Sequence, residues 1–272
     1  MKIQGNVLLL FSKYPEPGMV KTRLTVDRGG MFTEEDAASL YKAMLLDVCS
    51  VCLAAFERID GECTLVVSTA PAADLARMRD LLLGEFGEAA PIEVISDAGA
   101  SFDEHYNDAF AQCWTAGADR ILSMGADMPA LTVDDVVRGF SALQGLAAKG
   151  ECGIVLSPDQ EMGVSIIGWN RDTEFDHTGV FYNATGLTVL PAYIDKAREA
   201  DIAAIYLPPV PDVDTMADLM HNITLVNALD YCCRFDGGVP PKRTLAMLEW
   251  LGCDEVRIPP NDLRDPREAI DG

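Results

Sequence analysis

Phe11-Ser-Lys-Tyr-Pro-Glu-Pro-Gly-Met-Val-Lys-Thr-Arg-Leu24 follows a run of five apolar residues, Val7 to Phe11. That run lacks helical spacing, and Pro15 and Pro17 prevent a helix from continuing it, so it reads as a buried first strand ending in a loop. The loop carries Lys13, Lys21 and Arg23, opposed only by Glu16. Gly18 can adopt φ > 0 and lets the backbone approach a ligand. At a strand's carboxyl end, such a turn presents N–H groups and cationic side chains to phosphate oxygens. Arg supplies a planar fork and Lys a mobile point charge. A lone Gly-x-x-Lys-Thr is more often a polar surface loop, and Gly18-Met-Val-Lys21-Thr22 lacks the first glycine of a Walker A loop. Three cations so close together, in a chain this acidic, favour an anion site.

Outward from the loop, helical and β-branched segments alternate. Thr33-Glu-Glu-Asp36 reads as a capping box, with Asp in place of Glu, opening a helix to about Phe56. Cys63 to Ser68 is a strand, Pro71 starts a helix ending near Gly84, and Ile92 to Ser96 is a short strand. Ser101 caps a third helix with Asp103 and Glu104 in its first turn, Ile121 to Met124 is a strand, and Thr132 caps the next helix. Alternation of this kind predicts a parallel sheet with helices on both faces and ligand groups at the strands' carboxyl ends. Gly153–Pro158 and Val164–Trp169 are separated by too few residues for a crossover, so they pair as a hairpin or a bend and make the sheet mixed. A helix over Gly186–Ala200, a strand over Ile202–Leu207, a helix from Thr215 and a last helix over Lys242–Leu251 complete the pattern. The expected fold is a three-layer α/β/α domain with a mixed, mainly parallel sheet over residues 1–230. Residues 231–272 form a helical C-terminal extension, polar and loose from Pro259 on.

The opening loop resembles the F-x-K-x-P-x-P-G-x-x-K-T-R-L signature of a bacterial family of nucleotide-diphospho-sugar transferases. Every fixed position is filled. That family has the GT-A-type fold shared with molybdenum-cofactor and phospholactate guanylyltransferases. The resemblance covers about residues 1 to 225 and implies that Lys13, Gly18, Lys21 and Arg23 hold phosphates.

Two later motifs follow the family's order. Gly125-Ala-Asp127-Met-Pro129 sits at a strand end, where Asp127 alone reads as a turn residue before proline; the resemblance makes it a metal ligand. In Asp212-Val-Asp214-Thr215, alternation puts both carboxylates on one side of an extended segment, and Asp214 also falls where an N-cap would be. The family's Asp-x-Asp-Thr selects Asp214 over Asp212. A hard cation such as Mg²⁺ or Mn²⁺ needs few protein carboxylates when phosphates and waters supply the rest. Asp127 and Asp214 are therefore the expected catalytic and metal residues.

The chain also departs from the family. Glu161-Met162-Gly163 stands where Asp-Gly-Gly is usual, and His105 where a basic Arg is usual. Glu161, Gly163, His105 and Asn183 are the candidate substrate-pocket residues. The implied activity is metal-dependent glycosyl transfer from a nucleotide sugar or nucleotidyl transfer from a triphosphate, onto a small-molecule acceptor. A nucleotide-binding protein that has lost catalysis, with a regulatory or assembly role, is the alternative.

Composition narrows the partners. Lys plus Arg total 21 against 43 Asp plus Glu, for a formal net charge of −22. Such a balance disfavours nucleic acid and anionic membranes, and a nucleotide would need the basic loop and a divalent cation to approach. No signal peptide is evident, and no segment is long enough in apolar residues to read as a membrane span. The eight cysteines are scattered, with Cys63, Cys113 and Cys152 in or beside core segments, so the expectation is reduced thiols in a cytoplasmic protein. Cys49-x-x-Cys52 lies in a helical stripe and reads as packing. His177, in a polar segment beside Asp176, reads as a surface residue rather than a general base.

Overall fold

The computed structural model describes residues 3–257. The tail expected to be loose from Pro259 lies outside the described residues. β1 (Gly5–Phe11), β2 (Cys63–Ser68), β3 (Ile92–Ile95) and β4 (Ala118–Gly125) run parallel. β5 (Gly153–Pro158) and β6 (Val164–Asn170) form the antiparallel hairpin, β6 also pairs antiparallel with β4, and β7 (Ala203–Tyr206) runs parallel to β5. The order in the seven-stranded sheet is β3-β2-β1-β4-β6-β5-β7.

The chain winds away from β1 in one direction through β2 and β3, then returns to its other side at β4. A crevice opens at the carboxyl ends of β1 and β4, where the strand order reverses. Phe11 and Gly125 are register partners there, so the two strand-end motifs leave the sheet side by side.

Alternation along the strands divides the core between the two faces. Leu8 and Leu10 pack with α1 (Glu34–Phe56) and α4 (Val133–Lys149) in one cluster. Val7 and Leu9 pack with α3 (Phe102–Ala116) and α5 (Val189–Glu199) in the other. α2 (Leu75–Phe86) is preceded by a 3₁₀ turn at Ala72–Asp74, so the helix begins later than Pro71 and runs past Gly84. Three helices open with complete capping boxes, Thr33/Asp36, Thr132/Asp135 and, for α6 (Met216–Asp236), Thr215/Asp218. The shorter Asp thus serves where Glu is more usual.

Although the sequence suggested no span, α1 is long and apolar enough to cross a membrane by length and composition, with a mean hydropathy of 1.6. Its apolar side chains instead fill the core, with Leu40, Met44, Leu45 and Cys49 wholly buried. α6 continues through position 230, and α7 (Lys242–Trp250) docks on α1. There Asp47, 3% exposed, accepts from the Thr244 backbone N–H at 2.7 Å and pairs with Arg243 at 3.0 Å.

All eight cysteines are unpaired thiols, and Cys152 is exposed rather than core, because it lies just before β5 enters the sheet.

Candidate functional site

The loop after β1 does not leave Lys21 free. Lys21 adopts φ 47°, a left-handed conformation uncommon for a residue with a side chain. Its side chain turns inward and is 7% exposed. The ammonium donates to Asp127 Oδ2 at 2.5 Å and to Asp214 Oδ1 at 3.0 Å. Residues far apart in sequence thus share one cation. Burial alone would lower the Lys21 pKa, but the Asp127 and Asp214 carboxylates outweigh it and hold the ammonium charged well above its ordinary range.

Local structure explains how each carboxylate arrives. Asp127 follows β4 directly, and Gly125 leaves it room: a Cβ there would lie 2.8 Å from Asp127 Oδ1. Asp214 precedes the Thr215 cap of α6, and its backbone N–H donates to the Asp218 carboxylate. The Val213 N–H donates to the Asp127 carbonyl at 3.0 Å, which ties the two acidic segments together.

Asp212, which the Asp-x-Asp-Thr motif ranks below Asp214, lines the same crevice. Gln160 holds it, donating to Oδ1 at 2.9 Å. Burial, with the Asp127 charge adding to it, pushes the Asp212 pKa up to about 7.

The remaining loop residues divide. Lys13 lines the crevice. Arg23 stands at its edge, 64% exposed, donating to Asp214 Oδ2 at 3.0 Å. Gly18 does adopt positive φ, 76°, but it sits beside the Glu34 carboxylate and does not line the crevice; its part is to turn the loop. Tyr41 of α1 underlies the loop. Its hydroxyl pairs with Ser12 Oγ at 2.9 Å, the Lys21 ammonium lies 5.9 Å from its ring centre, and burial pushes its pKa up to about 12.

His105 reaches the crevice with Nδ1 2.7 Å from Asp97 Oδ1, and Ser68 donates to the other Asp97 oxygen at 2.6 Å. The other three substrate-pocket candidates lie elsewhere. Glu161 and Gly163 form the β5–β6 turn, where both backbone N–H groups donate to Asp159 Oδ1, and Met162 is exposed to solvent at its tip. Asn183 closes its own loop through Val180 and Leu187.

The crevice has two lobes, which share Asp127, Asp214 and the rings of Phe11, Tyr41, Phe102 and Tyr106. The loop lobe, about 490 Å³, contains Lys13, Lys21, Ser68, Asp97 and His105. The other, about 270 Å³, is walled by Phe102, Tyr106 and Phe181 and floored by Ser123 and Ser165. Behind that wall lies His177, which is wholly buried rather than on the surface. It is enclosed by Tyr106, Phe110, Trp169 and Phe181, its Nδ1 pairs with the Tyr193 hydroxyl at 2.6 Å, and burial pulls its pKa down to about 3. Sequence reasoning missed this lobe. The only signal was the spacing of Phe102, Tyr106 and Phe110 on α3, which any core helix shows.

Comparison with known proteins fits this geometry. Residues 54–184 match a family described as "Uncharacterized protein conserved in bacteria (DUF2064)". A solved structure from Desulfovibrio desulfuricans G20, described as a "putative nucleotide-diphospho-sugar transferase", is 25% identical, with a TM-score of 0.71 over 92% of this chain and 97% of that one. A CMP:2-keto-3-deoxy-manno-octonic acid synthetase complexed with CTP shares the fold at 13% identity, with a TM-score of 0.50 over 83% of this chain and 99% of that one. No curated protein matches. The class is a three-layer nucleotidyltransferase-like α/β fold. Within it, the chain is similar to the Desulfovibrio protein, and its opening loop resembles the signature of the bacterial nucleotide-diphospho-sugar transferases.

Proposed function

We propose that the protein is a metal-dependent transferase that takes a nucleotide sugar or a nucleoside triphosphate as donor, glycosyl transfer being the preferred reading. The observation that carries this is the convergence of Asp127 and Asp214 on one cation at the carboxyl ends of β1 and β4, beside a basic loop. The likeness to the Desulfovibrio protein supports it.

The Lys21 ammonium is a stand-in that tests whether a metal fits. It shows that a cation can sit against both carboxylates at once. Among the described residues no group of three or more acidic, His or Cys side chains forms a complete metal cage. Two carboxylates with phosphate oxygens and waters are what Mg²⁺ or Mn²⁺ accepts. Asp127 and Asp214 would hold the ion, which when bound offsets charge on the phosphates and on the leaving group. Lys13 and Arg23 reach phosphate oxygens from the loop side. With an ion between the two carboxylates, Lys21 would pair with phosphate instead and so keep an anion beside its ammonium.

Calorimetric titration of nucleotides and nucleotide sugars, with Mn²⁺ and with EDTA, tests the proposal. Asp127→Asn, which removes charge with little change of shape, is expected to weaken metal-assisted binding at least about tenfold, or about 1.4 kcal/mol. Equal affinity with EDTA and with Mn²⁺ overturns the metal assignment. Metal-dependent binding without turnover of any donor would favour a nucleotide-binding protein that has lost catalysis.

A further inference from the structure

The aromatic lobe has a chemistry distinct from the loop lobe. Among the described residues no Lys or Arg lines it, whereas three carboxylates do, from Asp127, Asp212 and Asp214. A divalent cation held between Asp127 and Asp214 would offset those two, leaving the Asp212 carboxyl facing the cavity with no cationic side chain beside it in the lobe. A phosphate or carboxylate ligand would therefore find no counter-charge among the lobe's own lining side chains. A wholly apolar ligand fits no better, since it would strip water from these carboxylates and offer them no donor.

The wall itself is continuous and ordered. Phe11 stacks on Tyr106 with ring centres 3.7 Å apart, Phe102 meets Phe181 edge to face at 4.9 Å, and Tyr106 meets Phe181 at 4.8 Å. At the floor, Ser123 is 1% exposed and its hydroxyl has no hydrogen-bond partner. Ser165 beside it is already satisfied, donating to the Val210 carbonyl at 2.5 Å. Of the buried side-chain polar atoms without a partner among the described residues, the Ser123 hydroxyl is the one that belongs to a residue lining this lobe, and there a polar ligand atom would satisfy it.

Taking the transferase reading above as its basis, we infer that this lobe binds the acceptor, and that the acceptor is an uncharged polyhydroxyl compound of the sugar class. The C–H face of a sugar ring packs on the aromatic wall, its hydroxyls donate to the Asp212 side of the cavity, and one hydroxyl pairs with Ser123 Oγ. Acceptor phosphates, which nucleotidyl transfer to a sugar phosphate would require, are disfavoured because the lobe's lining side chains offer them no cation. The accepting atom is then a neutral hydroxyl oxygen.

The test is ligand-observed NMR on the full chain with Mg²⁺. The probes are neutral monosaccharides and glycerol, the matching sugar phosphates, phosphoglycerate and choline. A neutral sugar is expected to bind, and to lose about tenfold in affinity in Ser123→Ala and in Phe181→Ala. Both residues line only this lobe, so nucleotide affinity is expected to stay unchanged in both variants. Ser123→Ala is small enough to keep the fold if Phe181→Ala does not. The inference is overturned if no neutral polyol binds, if a phosphorylated probe binds more tightly than its neutral counterpart, or if choline outbinds the sugars. It is also overturned if neither variant changes sugar affinity. The same samples titrated with nucleotide separate the two claims. Loss of nucleotide binding with sugar binding intact defeats the transferase reading and leaves the ligand class of this lobe standing.

Discussion

The two lobes flanking Asp127 and Asp214 are built in opposite ways. The loop lobe takes its cations from one continuous stretch, Lys13 to Arg23, and they stay near solvent or pair with carboxylates. The aromatic lobe draws on β1, β4, β6, α3 and the segment before α5, and behind it is a histidine kept neutral by burial. The contrast separates two kinds of site construction. Charge that must meet an incoming anion can be written locally, because a loop is free to present it. A shaped apolar cavity needs the whole sheet to bring its walls together. The lobes should therefore fail under different stresses, the aromatic one with acid and the loop one with loss of charge.

The largest expected effect is the response to acid. His177 has a folded pKa of about 3 against an ordinary 6.5, so its neutral burial contributes fully above pH 6.5. As pH falls through that window the unfolded chain takes up the proton first, and stability declines by about 1.4 kcal/mol per unit. His177→Gln removes the titration while an amide can still pair with Tyr193. Urea midpoints between pH 7 and 4 should fall steeply in the wild type and less in the variant. Parallel slopes would mean that the histidine is hydrated and the wall open.

The next effect probes the loop lobe. Lys21→Met keeps a long side chain but removes the charge between Asp127, 22% exposed, and Asp214, 47% exposed. Because both acids retain some water, the loss should be about 1–3 kcal/mol, less than for a fully buried pair. Saturating Mn²⁺ should return much of it by binding the native state. Melting temperatures with and without Mn²⁺ measure this, and the rise on adding Mn²⁺ should be larger in the variant than in the wild type. A variant as stable as the wild type and indifferent to Mn²⁺ would show that these carboxylates need no cation.

The same contrast explains how far the sequence could be read. Strand and helix order and the mixed sheet follow from periodicity and short-range chemistry, and Thr33 and Thr132 cap as their positions predict, whereas α6 is capped by Thr215 and not, as the spacing suggested, by Asp214. The meeting of Asp127 with Asp214 was legible only as two separate motifs. Nothing local says that Lys21 turns inward to join them, since that depends on its left-handed backbone and on where α6 begins. His177 was misread because its neighbours in sequence are polar, whereas those in space are aromatic. Glu161, Gly163 and Asn183 sit in loops that satisfy their own backbone groups, away from both lobes.

The smallest effect on stability, and the sharpest on ligand, is expected at Arg23. Its guanidinium is 64% exposed and its partner among the described residues, Asp214, is itself 47% exposed. An ion pair so open to water contributes about 0–1 kcal/mol and is screened by salt. Arg23→Ala should leave the melting temperature nearly unchanged. A charge-assisted hydrogen bond to phosphate contributes about 1.5–3 kcal/mol, so losing it should weaken every nucleotide about ten- to hundredfold. The loss should be similar for all bases, because a residue at the loop's edge meets phosphate and not the base. Arg23→Lys should fall between, since a point charge keeps attraction but not the two-pronged geometry. If Arg23→Ala leaves all nucleotide affinities intact, the edge of this loop grips no phosphate, and the burden of anion binding passes to Lys13 and the metal.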